Sequence, residues 1–193
     1  MEADLPPADE PRDHGPWKIL QSTEVYRDPW LSLRKDDVIR PDGDRGTHSV
    51  VSIKPGVSVV AIDDEQNIYL TEEFHYAVGR YTLEAVSGGC DEREDPLTAA
   101  RRELREELGI LAADWRSLGV VDPFTAMVLS PTELFLAREL TFVSSQPEGT
   151  EQIRCVRMPL AEAVSLVLAS GITHAPSCVA VLKAARVVGS GSG

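Results

Sequence analysis

The chain has 193 residues, 42% hydrophobic and 26% charged, which is enough to bury one sizeable core and is the composition of a globular protein. A net charge of −12 argues against a nucleic-acid backbone as partner, because that surface demands a basic footprint. No apolar run approaches the ~20 residues of a membrane helix, and the acidic, proline-rich N-terminus lacks the apolar stretch of a secretory signal.

Residues 1–15 carry three prolines and few apolar groups, so they are expected to be a disordered tail. Residues 16–55 read as N-terminal strands. Trp17 to Tyr26 and Trp30 to Ile39 are separated by Arg27-Asp28-Pro29, and Pro41-Asp42-Gly43-Asp44 turns into a strand from about Thr47 to Ile53. Residues 56–188 form the second part. Val57–Ile62 is β-branched and reads as a buried strand, a turn follows at Asp63–Asn67, and Ile68 to Phe74 pairs back as a hairpin. Tyr81 to Val86 leads into Gly88-Gly89.

The next helix has clear punctuation: Asp95 as N-cap, Pro96 at its first position and Gly109 at a left-handed C-terminal cap. Leu97, Ala100, Leu104 and Leu108 recur at helical spacing as its apolar face. Glu103, Glu106 and Glu107 fall three and four residues apart and project into one sector, where like charges repel by roughly 0.2–0.5 kcal/mol per pair. Arg101, Arg102 and Arg105 can offset part of that. Hard divalent cations prefer oxygen ligands of this kind. They would also let an acidic site hold a small anionic substrate.

Beyond this helix, Trp115 to Val121 and Thr132 to Leu140 read as strands around a loop at residues 122–131. The loop Ser144–Thr150 precedes a strand from Glu151 to Arg157. Leu160 to Ala169 is an amphipathic helix stopped before Gly171, and Pro176 opens a last helix to about Val188. Residues 189–193, Gly-Ser-Gly-Ser-Gly, are a flexible tail. Three cysteines, Cys90, Cys155 and Cys178, have no metal-ligand spacing and are expected as reduced thiols in a cytoplasm. The alternation of strands and helices indicates an α+β or mixed-sheet domain.

Gly88, Glu94, Arg102, Glu103, Leu104, Glu106, Glu107, Gly109 and Ile110 stand at the fixed positions of a pattern that resembles the Nudix box of the Nudix hydrolases, and none is missing. The resemblance implies an α/β/α sandwich around a mixed sheet. It also implies hydrolysis of a nucleoside diphosphate linked to another moiety, with Mg²⁺ or Mn²⁺ as cofactor. The chain is similar to the ADP-ribose pyrophosphatase branch over about residues 17–186, through the N-terminal strand meander, Glu84 four residues before Gly88, Asp122-Pro123, and the segment Gly171, Ile172, Ala175, Ser177, Ala180 and Leu182. It departs from that branch at His75, where an arginine suited to a phosphate is usual, and at Val86-Ser87, which replace Pro-Ala. Arg80 is near enough to take over a phosphate contact.

What the resemblance implies for single residues follows from these positions. Glu103, Glu106 and Glu107 are the metal ligands, with the Gly88 carbonyl as a further oxygen, and Arg102 orients the glutamates. Glu94 holds the loop against the start of the helix. The general base is Glu148 or Glu151, on a loop ahead of a late strand, with Glu148 the more mobile. His75, Arg80 and Glu84 join the substrate-binding set, with an outer metal or a metal-bound water as a further role for Glu84, together with Trp30 or Tyr26 (or Trp17) as a π-face for the base. A homodimer completes the pocket, and the substrate is most simply ADP-ribose. Rivals are a Nudix hydrolase of a sugar nucleotide, dinucleoside polyphosphate, NADH or coenzyme A, and a non-catalytic nucleotide-sensing module.

Overall fold

The structure is a computed structural model that describes residues 11–145 and 152–189. The chain folds as two compact units, one of residues up to Lys54 together with Asp122–Ser130, the other of Pro55–Val121 and the residues from Pro131 onward.

The N-terminal unit is a sheet of β1 (Arg12–His14), β2 (Trp17–Arg27), β3 (Leu31–Ile39), β4 (Arg45–Ile53) and the two-residue β10 (Val128–Leu129), in the order β1-β2-β3-β4-β10. Its first four strands form an antiparallel meander, and β10 adds in parallel to β4. Two features differ from the sequence reading. Residues 12–14 pair with Trp17–Ile19 instead of belonging to a disordered tail, because Gly15 takes the left-handed turn conformation, φ 57°, that lets the chain fold back on an open edge. The 122–131 loop supplies a strand to this sheet; two residues are too short to leave a periodic signal.

The second unit holds β5 (Gly56–Ile62), β6 (Asn67–His75), β7 (Arg80–Glu84), β8 (Val86–Gly89), α1 (Pro96–Leu108), β9 (Ile110–Val121), β11 (Thr132–Phe142), β12 (Arg154–Pro159), α2 (Leu160–Leu168) and α3 (Ala175–Gly189). The sheet order is β12-β6-β5-β11-β9, with β7 on β6 and β8 on β5; β5 and β11 run parallel and the other pairs antiparallel.

Alternation along the central strands sorts the core onto two faces. Val60, Ile62, Leu134 and Leu136 point to the side closed by α2 and α3, against Ile172, Val181, Ala184 and Leu160. Val59, Ala61, Phe135 and Ala137 point to the other side, against Ala99, Ala100 and Leu104 of α1. This is the expected mixed-sheet sandwich. Leu97 and Leu108, expected on the apolar face of α1, are only partly buried against it.

The run Tyr81–Val86, expected as one strand, is two. The chain pairs with β6 as far as Glu84, crosses at Ala85 and continues on β5. Ala85 is fully buried, and its N–H, outside both ladders, is taken by Ser177 Oγ of α3 at 2.9 Å. The strand after α1 starts at Ile110, earlier than expected, because its pairing with β11 continues to the Ile110–Phe142 register.

Asp63 closes the β5–β6 turn. One carboxylate oxygen accepts from the Asn67 N–H at 2.8 Å, and the other from Tyr69 Oη at 3.1 Å and Arg157 Nη2 of β12 at 2.9 Å. Burial pushes its pKa up, but the hydrogen bonds from Asn67, Arg157 and Tyr69 outweigh burial and hold it at about 2. A depressed carboxylate contributes stability above its unfolded pKa that is lost as pH falls through the folded value. Asp63→Asn is therefore expected to lower stability by about 2 kcal/mol at pH 7 in urea denaturation. The gap to the parent should close as pH falls from about 4 towards 2. A pH-independent gap would mean that shape, not charge, makes the contact.

Candidate active site

The site is built on α1 and the strand–loop segment before it. Asp95 accepts from the Thr98 N–H at 3.1 Å and from the Thr98 hydroxyl, Pro96 occupies the first turn, and Gly109, at φ 62°, donates its N–H to the Arg105 and Leu104 carbonyls. Both ends of the helix are thus set, and with them the direction of the glutamates.

Arg102 sits among those glutamates. Its Nη1 donates to Glu103 Oε1 at 2.8 Å and to Glu106 Oε2 at 3.2 Å. Nε and Nη2 donate to the two oxygens of Glu94 at 3.1 and 3.0 Å, and Nη2 also reaches the Gly89 carbonyl at 3.0 Å. Glu94 itself accepts from the Asp91 N–H. Hydrogen bonding to Glu94, then the charge and contacts of Glu103 and Glu106, hold Arg102 more firmly protonated despite burial, and Arg102 holds the Glu94 carboxyl below its ordinary range. Arg102 thus links the loop, through Glu94 and the Gly89 carbonyl, to Glu103 and Glu106 of the helix.

Gly88 and Gly89 pair with Val57 and Gly56 of β5. A Cβ on Gly88 would run into the Glu103 side chain, which would have to move aside; the backbone of Gly88 is ordinary strand. Glu103 is held between this glycine and Arg102.

The donor set fits a hard divalent cation. Glu103 and Glu106 converge on one cationic nitrogen, Glu107 projects from the same sector one turn after Glu103, and every donor is an oxygen. Among the described residues no three His, Cys, Asp or Glu side chains are gathered at ligand spacing; Glu103 and Glu106 are turned to Arg102 instead.

The substrate-binding candidates of this unit also come together. His75 and Arg80 are cross-strand neighbours at the end of the β6–β7 hairpin. His75 Nε2 lies 3.3 Å from Glu84 Oε1, and Arg80 Nη2 donates to Thr173 Oγ1 at 2.9 Å. Glu84 also accepts from Thr82 Oγ1 at 2.6 Å, and its second oxygen lies 3.1 Å from His174 Nδ1. Sequence reasoning misses Thr82, Thr173 and His174, which lie outside any motif. Burial pushes the His174 imidazole below its ordinary pKa, against the pull of Glu84, while the His75 charge adds to the lowering.

Tyr26 and Trp30 belong to the N-terminal unit, where both are exposed; Tyr26 Oη donates to Asp28 at 3.1 Å. A cavity of about 600 Å³ within that unit is lined instead by Trp17, His48, Arg34, Asp36, Val50 and Met127. Trp17 and His48 meet edge to face there at 5.7 Å. The base candidates Glu148 and Glu151 lie outside the described residues. Cys90, Cys155 and Cys178 are free thiols, and no described helix is long and apolar enough to cross a membrane.

The NUDIX domain model matches residues 52–172, and a model described as the nucleoside diphosphate sugar hydrolase N-terminal domain matches residues 17–51. The chain belongs to the Nudix hydrolase family and is a Nudix pyrophosphohydrolase similar to ADP-ribose pyrophosphatases. It is 32% identical to an ADP-ribose pyrophosphatase of Mycobacterium tuberculosis over 86% of this chain and 82% of the relative. It is 33% identical to a CMP-5'-(N-acetyl-N-hydroxy-3-aminopropyl)phosphonate hydrolase of Streptomyces rubellomurinus over 77% of this chain and 72% of that protein. Among solved structures, an ADP compounds hydrolase shares the fold with a TM-score of 0.79 over 95% of this chain and 96% of that one, at 22% identity.

Gly88→Ala tests the contact between the loop and α1. The new methyl must displace Glu103 or shift β8, and such overpacking costs about 1–3 kcal/mol. Expected are a lower melting temperature and a fall in kcat of at least about tenfold, some 1.4 kcal/mol of barrier. Parent-like kinetics would mean that Glu103 need not be held there.

Proposed function

We propose that the protein hydrolyses ADP-ribose to AMP and ribose 5-phosphate with Mg²⁺ or Mn²⁺, acting as a homodimer. The observation that carries this reading is the complete set of box residues, three of whose glutamates, Glu94, Glu103 and Glu106, meet on Arg102, joined to the kinship with ADP-ribose pyrophosphatases over most of the chain. A divalent cation on Glu103, Glu106 and Glu107, with the Gly88 carbonyl as a further oxygen, would neutralise charge on the diphosphate and make water there more acidic. Arg102 keeps two of these carboxylates aimed at one point. His75, Arg80 and Glu84 bind and orient the phosphate end of the substrate. A water oxygen forms a bond to one phosphorus, the bond from that phosphorus to the bridging oxygen breaks, and the water proton passes to Glu148 or Glu151. The nucleobase is taken by an aromatic side chain of the N-terminal strands, Trp30, Tyr26 or Trp17.

A second reading has specific support: the relative that acts on a CMP-linked phosphonate is as similar as the ADP-ribose enzyme. On that reading the substrate is a nucleoside monophosphate joined to a different phosphorus-bearing group.

The test is nucleoside monophosphate release from a panel of ADP-ribose, sugar nucleotides, dinucleoside polyphosphates, NADH, coenzyme A and a CMP-phosphonate. ADP-ribose should be the best substrate, and turnover should vanish with chelator and return with either metal. Glu106→Gln and Glu107→Gln should each lower kcat by about a hundredfold or more, some 3 kcal/mol, without loss of fold. Full activity in chelator would defeat the metal assignment.

Glu148→Gln and Glu151→Gln, measured side by side, address the base. The variant that removes it should lose kcat with KM nearly unchanged, and the other should stay within about twofold of the parent. Glu148 is the expected base. If both turn over like the parent, the base lies within α1.

A further inference from the structure

We propose that Thr173 and His174, the two residues leading into α3, are positioning residues that tether both anion-binding candidates, His75 and Arg80, at the end of the β6–β7 hairpin. The inference rests on the substrate-binding role given above to those two side chains.

The hairpin end needs such a tether. Beyond the His75–Arg80 pair lies the tip from Tyr76 to Gly79, where Tyr76 is 95% exposed and Val78 is 56% exposed. Arg80 is itself exposed, and a long cationic side chain on a free hairpin end loses rotamer freedom when a ligand fixes it. The structure removes part of that freedom beforehand. Thr173 Oγ1 accepts from Arg80 Nη2 at 2.9 Å, across 93 residues of sequence, which fixes the direction of the guanidinium.

His75 is held through a carboxylate. His75 Nε2 and His174 Nδ1 both stand at ion-pair distance from the Glu84 carboxylate. The two rings take different oxygens, Oε1 at 3.3 Å and Oε2 at 3.1 Å, while Thr82 donates to Oε1 at 2.6 Å. Both oxygens of Glu84 are therefore engaged, and its side chain is only 13% exposed. Among the described residues His75 Nδ1 has no partner, which leaves that edge of the ring for a ligand.

The anchor itself is firm. His174 Nδ1 also lies 2.8 Å from Ser177 Oγ, the hydroxyl that accepts from the Ala85 N–H. Ser177 is fully buried, and Ile172, just before Thr173, is in the core. The chain of contacts that ends at His75 therefore starts at a buried hydroxyl at the point where the strand changes partners. Glu84, standing between the two rings and accepting from Thr82, acts as a hub, with His75 and Arg80 as the contact groups.

The experiment is a double-mutant cycle read on both hydrolysis and binding, with the best substrate of the panel and an ADP-ribose analogue whose bridging oxygen is a methylene. His174→Ala should raise KM and the analogue Kd by about five- to tenfold and leave kcat within about twofold. His174→Asn keeps a donor near the Nδ1 position and should restore most of the loss. Because His174 acts through Glu84 on His75, the double variant His75→Ala/His174→Ala should bind no worse than His75→Ala alone.

Thr173→Val, nearly isosteric, removes only the acceptor of Arg80 and should weaken binding by about two- to fivefold; it serves if His174→Ala does not fold. A merely structural role would lower the melting temperature of His174→Ala and leave KM and Kd unmoved, which overturns the proposal. So would multiplicative losses in the double variant, or parent-like binding by Thr173→Val. If the parent neither hydrolyses any panel member nor binds the analogue, the functional reading fails and takes the tether with it. Parent-like turnover with unmoved KM in the variants defeats the tether alone.

Discussion

One guanidinium organises the catalytic segment. Four carboxyl groups, Glu94, Glu103, Glu106 and Glu107, crowd a loop and a single sector of α1, and without a cation among them their repulsion would splay the loop from the helix. Arg102 answers with a planar fork of five donors. It places one nitrogen between Glu103 and Glu106, two on Glu94, and reaches the Gly89 carbonyl at the end of β8. A lysine would bring the charge to one of these partners and lose the rest, because its ammonium is a point charge on a flexible stem. The helix, the loop before it and the strand end before that are therefore one electrostatic unit. The close approach of Gly88 to Glu103 is its steric counterpart.

Much of this unit is legible in the sequence because it is local. The caps of α1, the shared sector of the three glutamates and the arginine one residue from the first of them all follow from spacing within twenty-odd residues. The β-branched run of β5 announces a buried strand in the same local way. What the sequence does not disclose depends on which distant segments meet. His174 is one of four histidines and carries no periodic signal. Its importance arises from Glu84, which lies ninety residues earlier. The break at Ala85 reads as continuous strand, since a change of pairing partner leaves residue types unaltered. Arg12–His14 resembles tail because pairing along an open edge depends on backbone groups more than on apolar side chains.

The partner switch at Ala85 has a spatial consequence that links the two halves of the site. Up to Glu84 the strand belongs to β6, and its last side chain turns to the segment leading into α3. From Val86 it belongs to β5, and its end presents Gly88 and Gly89 to α1. Five residues thus carry the chain from the group proposed to hold substrate to the group proposed to hold metal. The single amide left between the two ladders is satisfied by Ser177, so the crossing does not strand a buried donor there.

This division explains why the chemistry can be fixed while the substrate varies within one fold. Glu94, Glu103, Glu106, Arg102 and the two glycines meet through short-range contacts. His75 and Arg80 depend on Glu84, Thr173 and His174, side chains contributed by separate elements, whose hydrogen bonds and ion pairs run to one another and not to Arg102. A substitution on the second set can alter what is bound without loosening the carboxylates. The exchange of the arginine usual in the resembled branch for His75 is a change of this kind: it shortens the reach to a phosphate and trades a permanent cation for a ring that can donate or accept. The ring is useful to a ligand only if its orientation is fixed, and the Glu84 carboxylate, held from its far side by His174, supplies that orientation.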